Sequence, residues 1–178
     1  EEIGTGAAHF DVEKFGADVA YTLDGGMEGE IEYENFKAAG ATFTVNGNNV
    51  HPGSAKDIMV NAQLVAMEIN GMLPADEIPA KTEGYEGFFH LTDMEGSVEK
   101  AKLQYIIRDH DREKFEARKA LAEKIAESMN EKYGAGTVEL AVKDQYYNMK
   151  EMVEPHIHLI NYAKEAAKEA GLNPKVVP

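Results

Sequence analysis

The chain has 178 residues, a formal net charge of −14 and no cysteine. The acidic balance argues against a nucleic-acid partner, since phosphate backbones are bound by lysine and arginine, and without thiols there are no disulfides, thiolate metal sites or cysteine nucleophile. No run of about 18 apolar residues is present, and "EEIGTGAAHF" lacks the basic and apolar regions of a signal peptide, so a cytoplasmic protein without a membrane partner is expected.

In chain order, "ADVAYTL" (17–23) carries β-formers up to the turn "DGG", which predicts a strand with Asp24 at its C-terminal end. "GEIEYENF" sets Ile31 and Tyr33 against Glu30, Glu32 and Glu34, a half-exposed strand. "ATFTVNG" alternates Ala41, Phe43 and Val45 with threonines and predicts the next strand. After the turn "NNVHPG", Ser54 reads as a helix N-cap, and Ile58, Ala62, Val65, Ile69 and Met72 recur at spacings of four and three, giving a helix of about five turns. Residues 74–87 form a long connection without periodicity. Two β-runs follow, "GFFHLTDMEG" and "VEKAKLQYIIRD", the second with Ala101, Leu103, Tyr105 and Ile107 on a core-facing side. Asp111 caps a charged helix to about Lys132, with Phe115, Leu121, Ala122, Ile125 and Met129 on one side and glycines at its end. "TVELAVKD" is a last strand of this unit, and "PHIHLINYAKEAAKEAG" a last helix.

Residues 37–148 therefore read β-α-β-β-α-β. The fold class is α+β, with a ferredoxin-like two-layer sandwich in which an antiparallel four-stranded sheet carries both helices on one face. Segments 1–36 and 149–178 read as parts of a different, α/β domain. Both ends read as cut, since there is no initiator methionine and "NPKVVP" resembles a helix stop followed by the opening of a strand.

Several residues are candidates for chemistry, and each has a plainer alternative. Glu1 and Glu2 are an adjacent acidic pair or a solvated terminus. Asp24, at a strand end before Gly25 and Gly26, reads as a turn residue bonding its own backbone. His51 is a proton carrier in a turn or a helix-entry hydrogen bond, and Arg108, at a strand end before "DHD", reads as half of a surface ion pair. His9, His90, His110, His156 and His158 have no partner at a metal-ligand spacing. No P-loop, GxGxxG or serine-nucleophile signature occurs.

Six segments together are far more specific. "EEIGTGAAHFDVEKFGADVAYTLDGG", "GEIEYENF", "NNVHPGSAKDIMVNA", "EGYEGFFHL", "YIIRDHDREKFEARK" and "DQYYNM" resemble, in order, segments of the tripeptide aminopeptidases of the dinuclear zinc metallopeptidase family. The resemblance implies that Glu1 is the general base, that Glu2 and Asp24 each ligate one of two zinc ions, and that 37–148 is an inserted lid or dimerisation domain. It also implies that His51 stabilises the tetrahedral oxyanion from that lid, and that Arg108 grips the carboxylate of a tripeptide substrate. A homodimer through the lid is a further implication.

The family also uses an upstream His-x-Asp segment, an aspartate bridging the metals and a late histidine, and none is in this chain. The isolated chain is therefore expected to be an inactive fragment with an incomplete zinc site. A protein-association module without catalysis is the alternative function; an RNA-binding ferredoxin-like domain is excluded by charge and by the lack of aromatic RNP motifs.

Overall fold

The computed structural model describes residues 9–178. It begins with α1 (Val12–Phe15), a single turn capped by the Asp11 side chain and closed by Gly16 at φ 69°. β1 (Glu30–Glu32) follows, and its parallel partner β6 (Lys175–Val177) comes from the far end of the sequence. The strand-like opening in "NPKVVP" thus finds its ladder on the strand foreseen in "GEIEYENF".

The larger sheet is built from β2 (Lys37–Asn46), β3 (Phe88–Gly96), β4 (Lys100–Asp109) and β5 (Val138–Tyr146), all antiparallel, in the order β3-β4-β2-β5. Two helices connect them: α2 (Ala62–Met72) between β2 and β3, and α3 (Arg112–Tyr133) between β4 and β5. Alternation fixes the register, because a slip of one residue would turn the apolar set to water. Ala39, Ala41, Phe43 and Val45 of β2 and Ala101, Leu103, Tyr105 and Ile107 of β4 share one buried cluster with Val65 and Ile69 of α2 and Phe115, Ile125 and Met129 of α3. Both helices therefore cover the same face. Asp111 caps α3 as expected, accepting from Lys114 N at 2.9 Å.

After β5 come α4 (Lys150–Val153), a 3₁₀ turn (Glu154–His156) and α5 (His158–Glu169), with Gly171 at φ 83° just beyond.

Two expectations are corrected. Residues 17–23 form no strand: they run without a ladder partner among the described residues, and 9–28 are all exposed. Alternation gives a propensity, but a strand exists only where a neighbour completes its hydrogen bonds. The helix after His51 is also shorter than its periodicity suggested. Asn61, whose side chain accepts from Gln63 N and Leu64 N, is the N-cap, while Ser54 only closes a 3₁₀ turn. Between them Asp57 adopts φ 61°, and Val60 is drawn into a bridge with Asn48. That bridge holds the chain extended where the pattern alone would let it coil.

Candidate functional site

His51 lies beyond the Asn46 end of β2. The turn before it is pinned: Gly47 N donates to Glu99 O (2.8 Å), Asn48 pairs with Val60, and Asn49 Nδ2 donates to Glu99 Oε1 (3.0 Å). Gly47 packs so tightly against the carbonyls of Val60 and Val98 that a Cβ there would overlap both. His51 itself is exposed, and its Nδ1 accepts from Gly53 N at 3.1 Å. The plain reading of this histidine, a hydrogen bond at a helical entry, is thus realised. It also has a chemical consequence: an accepting Nδ1 leaves the proton of the neutral ring on Nε2, which is then the ring's donor.

Arg108 sits at the opposite end of the same sheet, paired with Ala38 on β2. From Ala38 to Asn46 the strand covers roughly 25 Å at about 3.3 Å per residue. The guanidinium lies on the helix-free face, where Nη1 donates to Ile107 O (3.0 Å) and Ala39 O (3.5 Å) and Nη2 donates to Gln145 Oε1 (3.3 Å). Its carbon stands 5.4 Å from the Tyr146 ring centroid. Arg108 is held by its own sheet and forms no ion pair among the described residues.

Between this end of the sheet and the flanking segments lies a buried polar junction that sequence reasoning missed. Two asparagines clasp the incoming and outgoing connections. Asn35 Nδ2 donates to Tyr147 O (3.3 Å) and Asn35 Oδ1 accepts from Met149 N (2.9 Å). Asn148 Oδ1 accepts from Asn35 N (3.2 Å) and Lys150 N (2.9 Å). Around the clasp, Lys37 pairs with Glu151 (3.2 Å), Lys150 pairs with Glu34 (3.2 Å), and Tyr85 Oη donates to Glu34 Oε1 (3.1 Å). An asparagine in each connection, at "ENF" and "YNM", was the only signal available, and nothing local distinguishes such residues from ordinary turn formers.

His110 is 9 % exposed beside this junction, and neither ring nitrogen has a hydrogen-bond partner among the described residues. Phe36 and Tyr85 pack against it, at centroid distances of 4.1 and 5.0 Å. Burial holds its pKa below the usual 6.5, against the Glu34 and Asp109 carboxylates and with the help of the Lys150 and Lys37 ammonium groups. The sign follows. Below pH about 6.5 the unfolded chain takes up a proton that the native one refuses, so stability falls with pH until the native ring also titrates. His110→Phe, which fills the same slot without an unpaired donor, is expected to flatten this part of the curve in urea titrations between pH 7.5 and 5. An unchanged slope would show that the ring does not govern it.

Asp24 is exposed, and its Oδ1 accepts from the adjacent Gly25 N at 2.7 Å. Glu1 and Glu2 lie outside the described residues. Among the described residues no group of three His, Asp or Glu side chains could hold a metal ion. A single carboxylate does not fix the coordination of zinc, which takes three or four ligands, so the residues in view do not fit a metal by themselves. No helix among them is long and apolar enough to cross a membrane.

Comparison with known proteins shows what kind of unit this is. Residues 33–137, more than half of the chain, match the family described as peptidase dimerisation domain. The chain belongs to this family. The match includes His51, Arg108 and both helices of the four-stranded unit. The chain is 61 % identical over its whole length to a peptidase T of Clostridium novyi, covering 44 % of it, and 59 % identical to a peptidase T of Halothermothrix orenii, again covering 44 %. It thus spans less than half the length of the curated relatives it matches. Its fold is similar to the crystal structure of the aminopeptidase PepT from Bacillus cereus (TM-score 0.77, 22 % identity, 97 % of this chain and 46 % of that one). It is likewise similar to a tripeptidase from Staphylococcus aureus (TM-score 0.79, 19 % identity, 97 % and 46 %).

Proposed function

We propose that this chain is the internal part of a zinc-dependent tripeptide aminopeptidase of the cytoplasm, in which the four-stranded unit serves as lid and dimerisation domain. The observation that carries the reading is the 61 % identity over all 178 residues to a protein named peptidase T. The strand order β3-β4-β2-β5, with both helices on one face, supports a ferredoxin-like arrangement of the lid. The separate two-stranded sheet supports a division into 1–36, 37–148 and 149–178.

In this reading Arg108 offers its fork to the substrate's C-terminal carboxylate, His51 donates Nε2–H to the oxyanion, and Glu1 takes the proton of the attacking water. Zinc, when bound, would supply the activated water and polarise the carbonyl. Glu2 and Asp24 would be only two of its ligands, so the 178-residue chain alone is expected to be inactive.

A tripeptide extends only about 10 Å, less than half the roughly 25 Å that separates the two ends of the lid sheet. This separation supports a reading in which His51 and Arg108 of one chain serve different sites, with His51 supplied by a partner subunit. A homodimer fits this need. The surface offered for it is the edge strand β3 with the adjoining face of α2, where Leu64 and Met67 are more than half exposed and Gln63 Nε2 ties the helix to Gly96 O at 2.7 Å.

The full-length protein is expected to release the N-terminal residue from tripeptides in a reaction abolished by a chelator. The isolated chain in zinc buffer should release none. Absence of turnover by the full-length protein overturns the activity; chelator-sensitive turnover by the isolated chain overturns the assignment of missing ligands.

A further inference from the structure

The β2–β5 ladder contains an irregularity whose effect falls on Arg108. Ala38 pairs with Tyr146 and Ala39 with Asp144, which leaves Gln145 as an extra residue on β5. Along a regular strand successive side chains point to opposite faces, so only one of Gln145 and Tyr146 could lie on the same side as Arg108. The bulge removes that restriction, as bulges characteristically re-aim a side chain. Tyr146 stands opposite Ala38 and Gln145 just beside it, and both meet the guanidinium: Gln145 Oε1 accepts from Nη2 at 3.3 Å and the Tyr146 ring lies 5.4 Å from the guanidinium carbon.

The intervening strand leaves room for this reach. β2 lies between β4 and β5, and at this level it carries only Ala38, Ala39 and Gly40. A Cβ added at Gly40 would already touch Gln145 Nε2, at 3.6 Å. The two sheet carbonyls hold Nη1, Gln145 holds one hydrogen of Nη2, and Nε with the second Nη2 hydrogen has no partner among the described residues. Two free donors on a fixed plane are what a carboxylate accepts.

We propose that Gln145, aimed by the β5 bulge and assisted by Tyr146, is the positioning residue that orients Arg108 and so sets the preference for substrates with a free C-terminal carboxylate. The inference rests on Arg108 being the carboxylate grip of the proposed function. It is tested in the full-length protein by comparing kcat/KM for a tripeptide and for its C-terminal amide. Arg108→Ala should lower the acid-to-amide ratio roughly 10–10²-fold. Gln145→Ala and the equally long Gln145→Met should each lower it about three- to tenfold, through KM for the acid with kcat little changed. Gln145→Glu, which places a competing carboxylate on the fork, should lower it further. If Arg108→Ala collapses the ratio while both neutral Gln145 variants keep the wild-type value, or lower acid and amide alike, the positioning role is wrong and the grip stands. If Arg108→Ala leaves the ratio unchanged, the reading of Arg108 itself falls.

Discussion

His51→Ala in the full-length protein is expected to lower kcat by about 10²–10³, the usual cost of removing one oxyanion donor, with bound metal unchanged. The Nδ1 acceptor bond to Gly53 leaves Nε2 as the donor of the neutral ring, and in the proposed role a donor to the oxyanion affects the transition state more than substrate binding. Loss of metal on substitution would instead make His51 a ligand. The placement of His51 and Arg108 toward opposite ends of the four-stranded sheet adds a sharper expectation. His51→Ala and Arg108→Ala proteins, each impaired alone, should regain activity when mixed and allowed to exchange subunits. In the mixed dimer one site then combines an intact Arg108 from one chain with an intact His51 from the other. No recovery after verified exchange would mean that both groups serve the site from a single chain, against the distance argument.

Asp109→Ala is expected to destabilise the four-stranded unit by about 3 kcal/mol or more, because it leaves a nearly buried cation short of its partner. Asp109 is fully buried. Its Oδ2 accepts from Arg118 Nε at 2.8 Å and its Oδ1 accepts from Asp111 N at 3.0 Å. The Arg118 side chain is 12 % exposed, stacks over Phe89 at 5.4 Å and reaches Glu77 in the long connection. One carboxylate thus joins the start of α3, the end of β4 and the 74–87 connection, which Gly87 brings so close to Asp109 that a Cβ would collide with it. At roughly 2–4 °C per kcal/mol for a chain of this size, the midpoint of thermal unfolding should drop by about 10 °C. Asp109→Asn keeps an oxygen for Asp111 N and should lose less. A change under about 1 kcal/mol in Asp109→Ala would show that Glu77 alone satisfies Arg118.

Much of the four-stranded unit was legible from residues alone. β2, β4 and β5 announce themselves by alternation, α3 by its Asp111 cap and apolar spacing, and the buried set on β4 was identified residue by residue. These signals are local. The start of α2 was misplaced because Ser54 and Asn61 are both good caps, and the choice was made by the Asn48–Val60 bridge, a contact outside the helix. Residues 17–23 carry a strand's pattern yet lack a ladder among the described residues.

The candidate site divides the same way. His51 and Arg108 could be singled out by residue type, position in a turn or strand, and resemblance, whereas Gln145 looks like any polar residue in "DQYYNM" and becomes visible only through the skipped pairing in the ladder. His110, one of six histidines, is distinguished by the rings that pack against it, and those come from positions 36 and 85. Side-chain period, caps and turn residues act within a few residues and are written directly in the chain. Register irregularities, burial of a lone imidazole and the distance between two functional groups arise when segments far apart in sequence are brought together, so only the folded sheet fixes them.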